Sequence, residues 1–169
     1  MKQEFQMFAA YNRWANAAIY DAATQLTDQE FTLDCGLFFK SLSGTLNHLL
    51  VADRIWMRRF TGRGDTYTAL DAVVHPNFAP LRIARESEDQ RVIDWIDSLS
   101  ERELEGRFAY TTIVEMRTIS QRLAPALLHF FNHQTHHRGQ ASALITTFKY
   151  KSPVLDLLAF QRISSRMFR

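Results

Sequence analysis

Within residues 129–137 this chain places four of its six histidines, and that spacing constrains the fold more than any other feature. His129, His133, His136 and His137 are interleaved with Phe130 and Phe131 and follow an apolar run at 123–128. Apolar residues recur at helical spacing through Leu127, Phe130, Phe131, Ala141, Leu144 and Ile145, so the segment reads as one helix. Residues four apart on a helix lie one turn apart on the same face. His133 and His137 therefore point the same way, about 6 Å apart in rise. Two neutral imidazoles so placed reach one divalent metal through bonds of about 2.0–2.1 Å. The same pair also describes a solvated helix face, and one turn supplies only two ligands. A metal site needs a third from elsewhere in the chain.

Of the remaining histidines, His48 falls beside an apolar stripe and His75 precedes Pro76 in a Gly/Pro-punctuated loop at 61–80. His48 is the candidate on a helix and His75 the poorer one, because a residue before proline is held extended. The helix carrying His48 spans about 41–60, with Leu42, Leu46, Leu49, Trp56 and Phe60 inward and Asp53 in line with them. An earlier helix, 2–26, carries the stripe Phe5, Phe8, Asn12, Ala15, Ile19, Ala22 and Leu26. Asn12 is its polar member, and a buried amide must be hydrogen-bonded to a neighbour. Thr27 to Glu30 and Ser100 to Glu103 have the capping-box pattern and open short helical turns. A third long helix covers 81–99, with Leu81, Glu88, Val92, Trp95, Ile96 and Leu99 on or near one face and charges on the other. From Phe108 through Tyr110, Thr112, Val114 and Met116 to Thr118 the period changes to two, which predicts a short hairpin or extended crossover. Pro125 requires the histidine-bearing helix to begin within a few residues before it, and the pattern carries that helix to about 148. Ser152 and Pro153 read as the N-cap and first position of a short C-terminal helix. The expected fold is an all-α four-helix bundle, one domain over residues 1–169, with an extended crossover and a C-terminal helix.

At 169 residues and 46% hydrophobic composition the chain is long enough to bury a sizeable core. Its net charge of +2 comes from 20 basic and 18 acidic residues that are scattered, whereas a nucleic-acid surface needs a clustered basic face. Cys35 is the one cysteine, which excludes an intramolecular disulfide framework and a cysteine-rich zinc knot. The polar start, Met1 to Phe5, is unlike a signal peptide, and no apolar run reaches membrane-spanning length. A soluble cytoplasmic protein without nucleic-acid or membrane partners is the expectation. A carboxylate-bridged di-iron bundle is set aside, because no glutamate stands three residues before any histidine.

Three motifs in order resemble the DinB family of DinB/YfiT-like metalloenzymes: Tyr11 to Asn16 in the first helix, Leu46 to Trp56 in the second, and Asn132 to Gln140 in the fourth. The resemblance spans nearly the whole chain. It implies a four-helix bundle, often dimeric, holding a divalent metal such as nickel or zinc on His48, His133 and His137, with His129 and His136 as bystanders. It also implies, for some relatives, thiol-dependent S-transfer or isomerisation. Lys149 to Lys151 depart from the family, which often has a glycine turn there. Three histidines without carboxylate or thiolate form a neutral ligand set of the kind found in catalytic sites. Arg138, Asn47 and Asp53 are candidates for supporting the ligands or clasping the second and fourth helices, with Asp53 and Arg138 expected to pair. The expected function is a metal-dependent thiol S-transferase or hydrolase acting on a small molecule, with a low-molecular-weight thiol as a further cofactor. The alternative is a non-catalytic bundle that binds a metal or small ligand. The sequence identifies no general base.

Overall fold

The computed structural model describes residues 1–112 and 116–167. Its elements run α1 (Lys2–Ala23), α2 (Asp28–Thr32), α3 (Leu42–Thr61), α4 (Phe78–Ser98), α5 (Glu101–Glu105), β1 (Arg107–Thr111), β2 (Thr118–Arg122), α6 (Leu123–Thr147) and α7 (Leu157–Met167). Helices α1 and α3 each pack against both α4 and α6, which closes a four-helix bundle. The hairpin β1–β2 is antiparallel, with Phe108 opposite Gln121 and Tyr110 opposite Ile119, and it feeds directly into α6.

Local chemistry accounts for most boundaries. Ser41 caps α3 by accepting from the Gly44 amide, and Gly62 ends that helix in the left-handed region at φ 71°. Both capping boxes form as expected, at Thr27/Glu30 and Ser100/Glu103. Helix α1 stops at Ala23, short of residue 26, because the Thr27 box starts a new helix at once. Helix α4 begins at Phe78, ahead of the expected 81, since Pro80 sits harmlessly in the first turn where its missing amide has no helical partner. The second strand lies at Thr118–Arg122, so the period-two run from Phe108 covers the first strand, the connection and only the first residue of the second strand; Val114 of that run lies outside the described residues. The C-terminal helix opens at Leu157 and not at Pro153. Its expected cap is spent elsewhere: the Ser152 hydroxyl bonds the Ser142 hydroxyl of α6, and the Leu155 carbonyl accepts from Tyr11 at 2.6 Å, holding the approach extended across α1. Lys149 takes φ 64° and closes α6 with its amide on the Thr146 carbonyl.

The bundle interior has three layers. At one end Ile19, Leu42, Leu46, Leu50, Leu81, Leu144 and Ile145 form an apolar cluster. At the other, Phe5, Ala9, Met57, Val92, Ile96, Leu127, Phe130 and Phe131 form a second. Between them every long helix contributes buried polar groups: Asn12 and Asn16 from α1, Asp53 from α3, Arg85 and Asp89 from α4, Gln134 and Arg138 from α6. Burying one large apolar side chain is worth about 1.5–3 kcal/mol, so the two clusters drive assembly. The polar layer costs desolvation that only mutual pairing repays. Its pairs are ordered: Arg85 meets Asp53 at 2.8 Å and Asp89 at 3.1 Å, Asn16 donates to Asp89 at 2.9 Å, and Gln134 donates to Asp53. Arg138 donates to Asn12 and, at 3.2 Å, to Asn16. Asn12 thus ties α1 to its neighbours as its place in the stripe requires. The expected pairing of Asp53 with Arg138 does not form, because Arg85 from α4 reaches Asp53 first and Arg138 turns to α1 across the Tyr11 ring.

Candidate metal centre

Beside this polar layer, α3 and α6 bring three imidazoles together. His48 Nε2 lies 3.3 Å from His133 Nε2 and 3.2 Å from His137 Nε2. All three donor atoms lie within 4.8 Å of one another. One ion bound at about 2.05 Å with angles between octahedral and tetrahedral separates its ligand nitrogens by about 2.9–3.4 Å. The observed spacings suit such an ion, and these residues can hold one. His48 is buried, while His133 and His137 are half-buried. His75 stays outside the group.

Each ring is aimed by a neighbour. The His48 Nδ1–H donates to the Leu70 carbonyl at 2.7 Å, which leaves Nε2 with its lone pair toward the other rings. Leu70 belongs to the connection between α3 and α4, and Asn47 pins that connection. Its Oδ1 accepts from the amides of Val74 (3.0 Å) and His75 (2.9 Å), and its Nδ2 donates to the His75 carbonyl at 3.0 Å. The role expected for Asn47 near the ligands is therefore exerted through a loop. Phe39 stacks on His48 with centroids 3.8 Å apart and meets His137 edge-on. Gly44 permits this, since a Cβ there would stand 2.0 Å from the Phe39 carbonyl oxygen. On α6, His137 Nδ1 donates to Gln140 Oε1 at 2.8 Å, and the Gln140 amide donates to His136 at 3.2 Å. His136 thus braces a ligand candidate at one remove. His129 is exposed and packs on Trp56, 6.0 Å from the His133 ring.

Burial keeps the rings neutral. It lowers His48 from the ordinary imidazole value to about 4, against the pull of the Leu70 carbonyl, and lowers His133 to about 3 with added repulsion from His137 and His48. His137 is lowered as well, chiefly by burial, with Gln140 opposing. Rings that refuse protons leave their lone pairs free for a metal. All three rings are lowered, so the midpoint of metal loss should fall below about 6.5, the ordinary imidazole value. Equilibrium dialysis across that value checks this, and half-loss at pH 6.5 would refute it. Fold stability is a poorer readout because two sets of groups oppose one another. The depressed histidines destabilise the fold as pH drops below 6.5, where the unfolded chain takes up protons that the fold refuses. Asp53 and Asp89, raised by burial against the pull of Arg85, act in the other sense.

The residues that sequence reasoning missed are Asn16, Arg85, Asp89 and Gln134. The signal was present, because Arg85 and Asp89 follow Leu81 at steps of four and precede Val92 and Ile96 on the same face. Charges are normally found at the surface, so sequence alone assigns those of the third long helix to solvent.

The DinB family model matches residues 1–167. The protein DinB of Bacillus subtilis (strain 168) is 24% identical over 164 residues, covering 86% of this chain and 87% of the relative. A crystal structure of a DinB-like protein from Bacillus cereus ATCC 10987 superposes with a TM-score of 0.70 at 14% identity, over 90% of this chain and 95% of that one. The bundle is thus of the DinB-like kind.

Proposed function

This chain belongs to the DinB family, and on that premise we propose that it is a metal-dependent enzyme acting on a small molecule. His48, His133 and His137 would hold one divalent cation, nickel or zinc, through Nε2. The observation that carries this reading is the donor set: three convergent nitrogens on neutral rings, with no carboxylate or thiol joining them among the described residues. Such a set leaves the ion's charge uncompensated and a coordination position free, as catalytic sites do. An ion bound there supplies Lewis acidity that lowers the pKa of a water or thiol. The chain's own part is orientation and partial exclusion of water. Leu70 and Gln140 fix two rings, and Phe39 covers one face of His48.

Thiol S-transfer ranks ahead of hydrolysis. Cys35 packs against the Ile19 cluster with its Sγ donating to the Leu33 carbonyl, so the nucleophile must come from outside as a low-molecular-weight thiol. The group contains no carboxylate to accept a proton from water, and a thiol gives up its proton more readily. In cobalt(II)-substituted protein, cysteine or glutathione should add intense near-ultraviolet charge-transfer absorption. Perturbation only by hydroxide-like anions would make hydrolysis the better reading. No response to either would favour the non-catalytic metal binder. The same proposal includes one domain over 1–169, a cytoplasmic location and association of two copies; sedimentation as a monomer at micromolar concentration would remove the last. Among the described residues no helix is long and apolar enough to cross a membrane.

A further inference from the structure

We propose that the cleft between the C-terminal half of α3, the connection that follows it and the hairpin β1–β2 is a carboxylate subsite in which Arg59 binds the anionic end of the small-molecule substrate. This rests on the reading of the three-histidine group as the reactive centre.

The cleft has a volume of about 620 Å³, and Ile55, Arg59, Tyr67, Thr68 and Tyr110 are among its lining residues. The Arg59 guanidinium lies against two rings that themselves meet edge-on, 4.7 Å from the Trp56 centroid and 4.6 Å from that of Tyr110. Among the described residues no carboxylate stands within ion-pair distance of it. The neighbouring charges are all engaged. Arg54 faces Glu88 and Asp65, and Arg58 donates to the Gly64 carbonyl at 2.5 Å. Asp65, the one carboxylate among the described residues that line the cleft, also accepts from the Tyr67 hydroxyl at 3.1 Å. Arg59 is therefore a half-buried cation, stiffened by stacking, without a counterion of its own. A planar guanidinium fits a carboxylate bidentately, and a single one suits a monoanion.

A chain of ring contacts leads from Arg59 at the cleft towards the histidines. From Arg59 it runs to Trp56, then to His129 at 5.2 Å between centroids, then to His133 at 6.0 Å. On the opposite side Tyr67 and Thr68 lead within two residues to Leu70, whose carbonyl holds His48. His48, Ile55 and Arg59 share one face of α3 (seven and four residues apart), with the outer two about 16 Å apart in rise. Side chains lean toward a helix N-terminus, so Arg59 reaches back over Trp56 toward His48. A flat molecule with its carboxylate at Arg59 would lie along Trp56 and His129 and present its other end to the three imidazoles.

The test uses cinnamate and its neutral amide, cinnamamide, titrated into the full chain with and without metal while the indole N–H resonance of Trp56 is followed by NMR. Cinnamate should bind saturably and at least about tenfold tighter than the amide, the usual scale for a charge-assisted hydrogen-bonded pair. Arg59→Met should erase that preference while leaving cinnamamide binding and metal content unchanged, and Arg58→Met should change neither. No saturable cinnamate binding, equal binding of acid and amide by the unaltered protein, or an unchanged preference in Arg59→Met would overturn the subsite. Arg59-dependent cinnamate binding in a protein that takes up no metal would leave the subsite standing and remove the metal reading instead.

Discussion

Alanine at His48, His133 or His137 should each strip the protein of most of its metal, whereas alanine at His75 should leave metal content unchanged. The reason is arithmetic of donors. The group offers three nitrogens, and any one substitution leaves two to hold the ion. Removing a partner that merely orients a ligand typically costs about 10–100-fold in affinity, so removing the ligand itself should cost more than about 100-fold. Asn47→Ala separates these two effects. It frees the connection that carries Leu70 without touching an imidazole, so it should fall in the intermediate range. His129→Ala should have little effect, since the ring is exposed and 6.0 Å from that of His133. Elemental analysis followed by chelator competition measures all six. Equal metal in the four histidine variants at 48, 133, 137 and 75 would overturn the assignment.

How much of this was legible in the sequence depends on the range of the interactions involved. The four long helices were readable because each carries an apolar stripe at helical period, and the capping boxes of the short helices α2 and α5 depend on neighbours three residues away. The juxtaposition of His133 with His137 was equally local. His48 was readable as a helical histidine, but its convergence with α6 depends on how two helices pack, which no single segment specifies; the family resemblance supplied that link. The C-terminal helix start failed because Ser152 is claimed by Ser142 of α6, a contact between different elements. Most hidden was the polar layer. Arg85, Asp89 and Gln134 are types normally found at the surface, and only mutual pairing across three helices makes their burial tolerable.

That layer leads to the largest effect on stability: Arg85→Ala should destabilise the fold by about 3–5 kcal/mol, the usual cost of removing one partner from a buried ion pair. In a chain of this size that corresponds to roughly 6–20 °C in Tm. Arg85 is buried and is the guanidinium that contacts both Asp53 and Asp89. Without it Asp53 keeps Gln134 and Asp89 keeps Asn16, so two buried carboxylates remain hydrogen-bonded with only the less direct charge of Arg138 to compensate them. Their escape is to bind protons, and this fixes the pH dependence. Both carboxyls are already raised by burial with Arg85 pulling the other way, so its removal must raise them further. A fold that binds more protons than the unfolded chain gains stability as pH falls. The deficit of Arg85→Ala relative to the parent should therefore be largest near pH 8 and shrink toward pH 5, as read by thermal melts at both values. Adding Asp53→Asn and Asp89→Asn to the same variant should recover part of the loss at pH 8, because neutral amides carry a smaller desolvation cost than unpaired carboxylates. A deficit independent of pH would mean that Arg85 acts through packing volume and not through its charge.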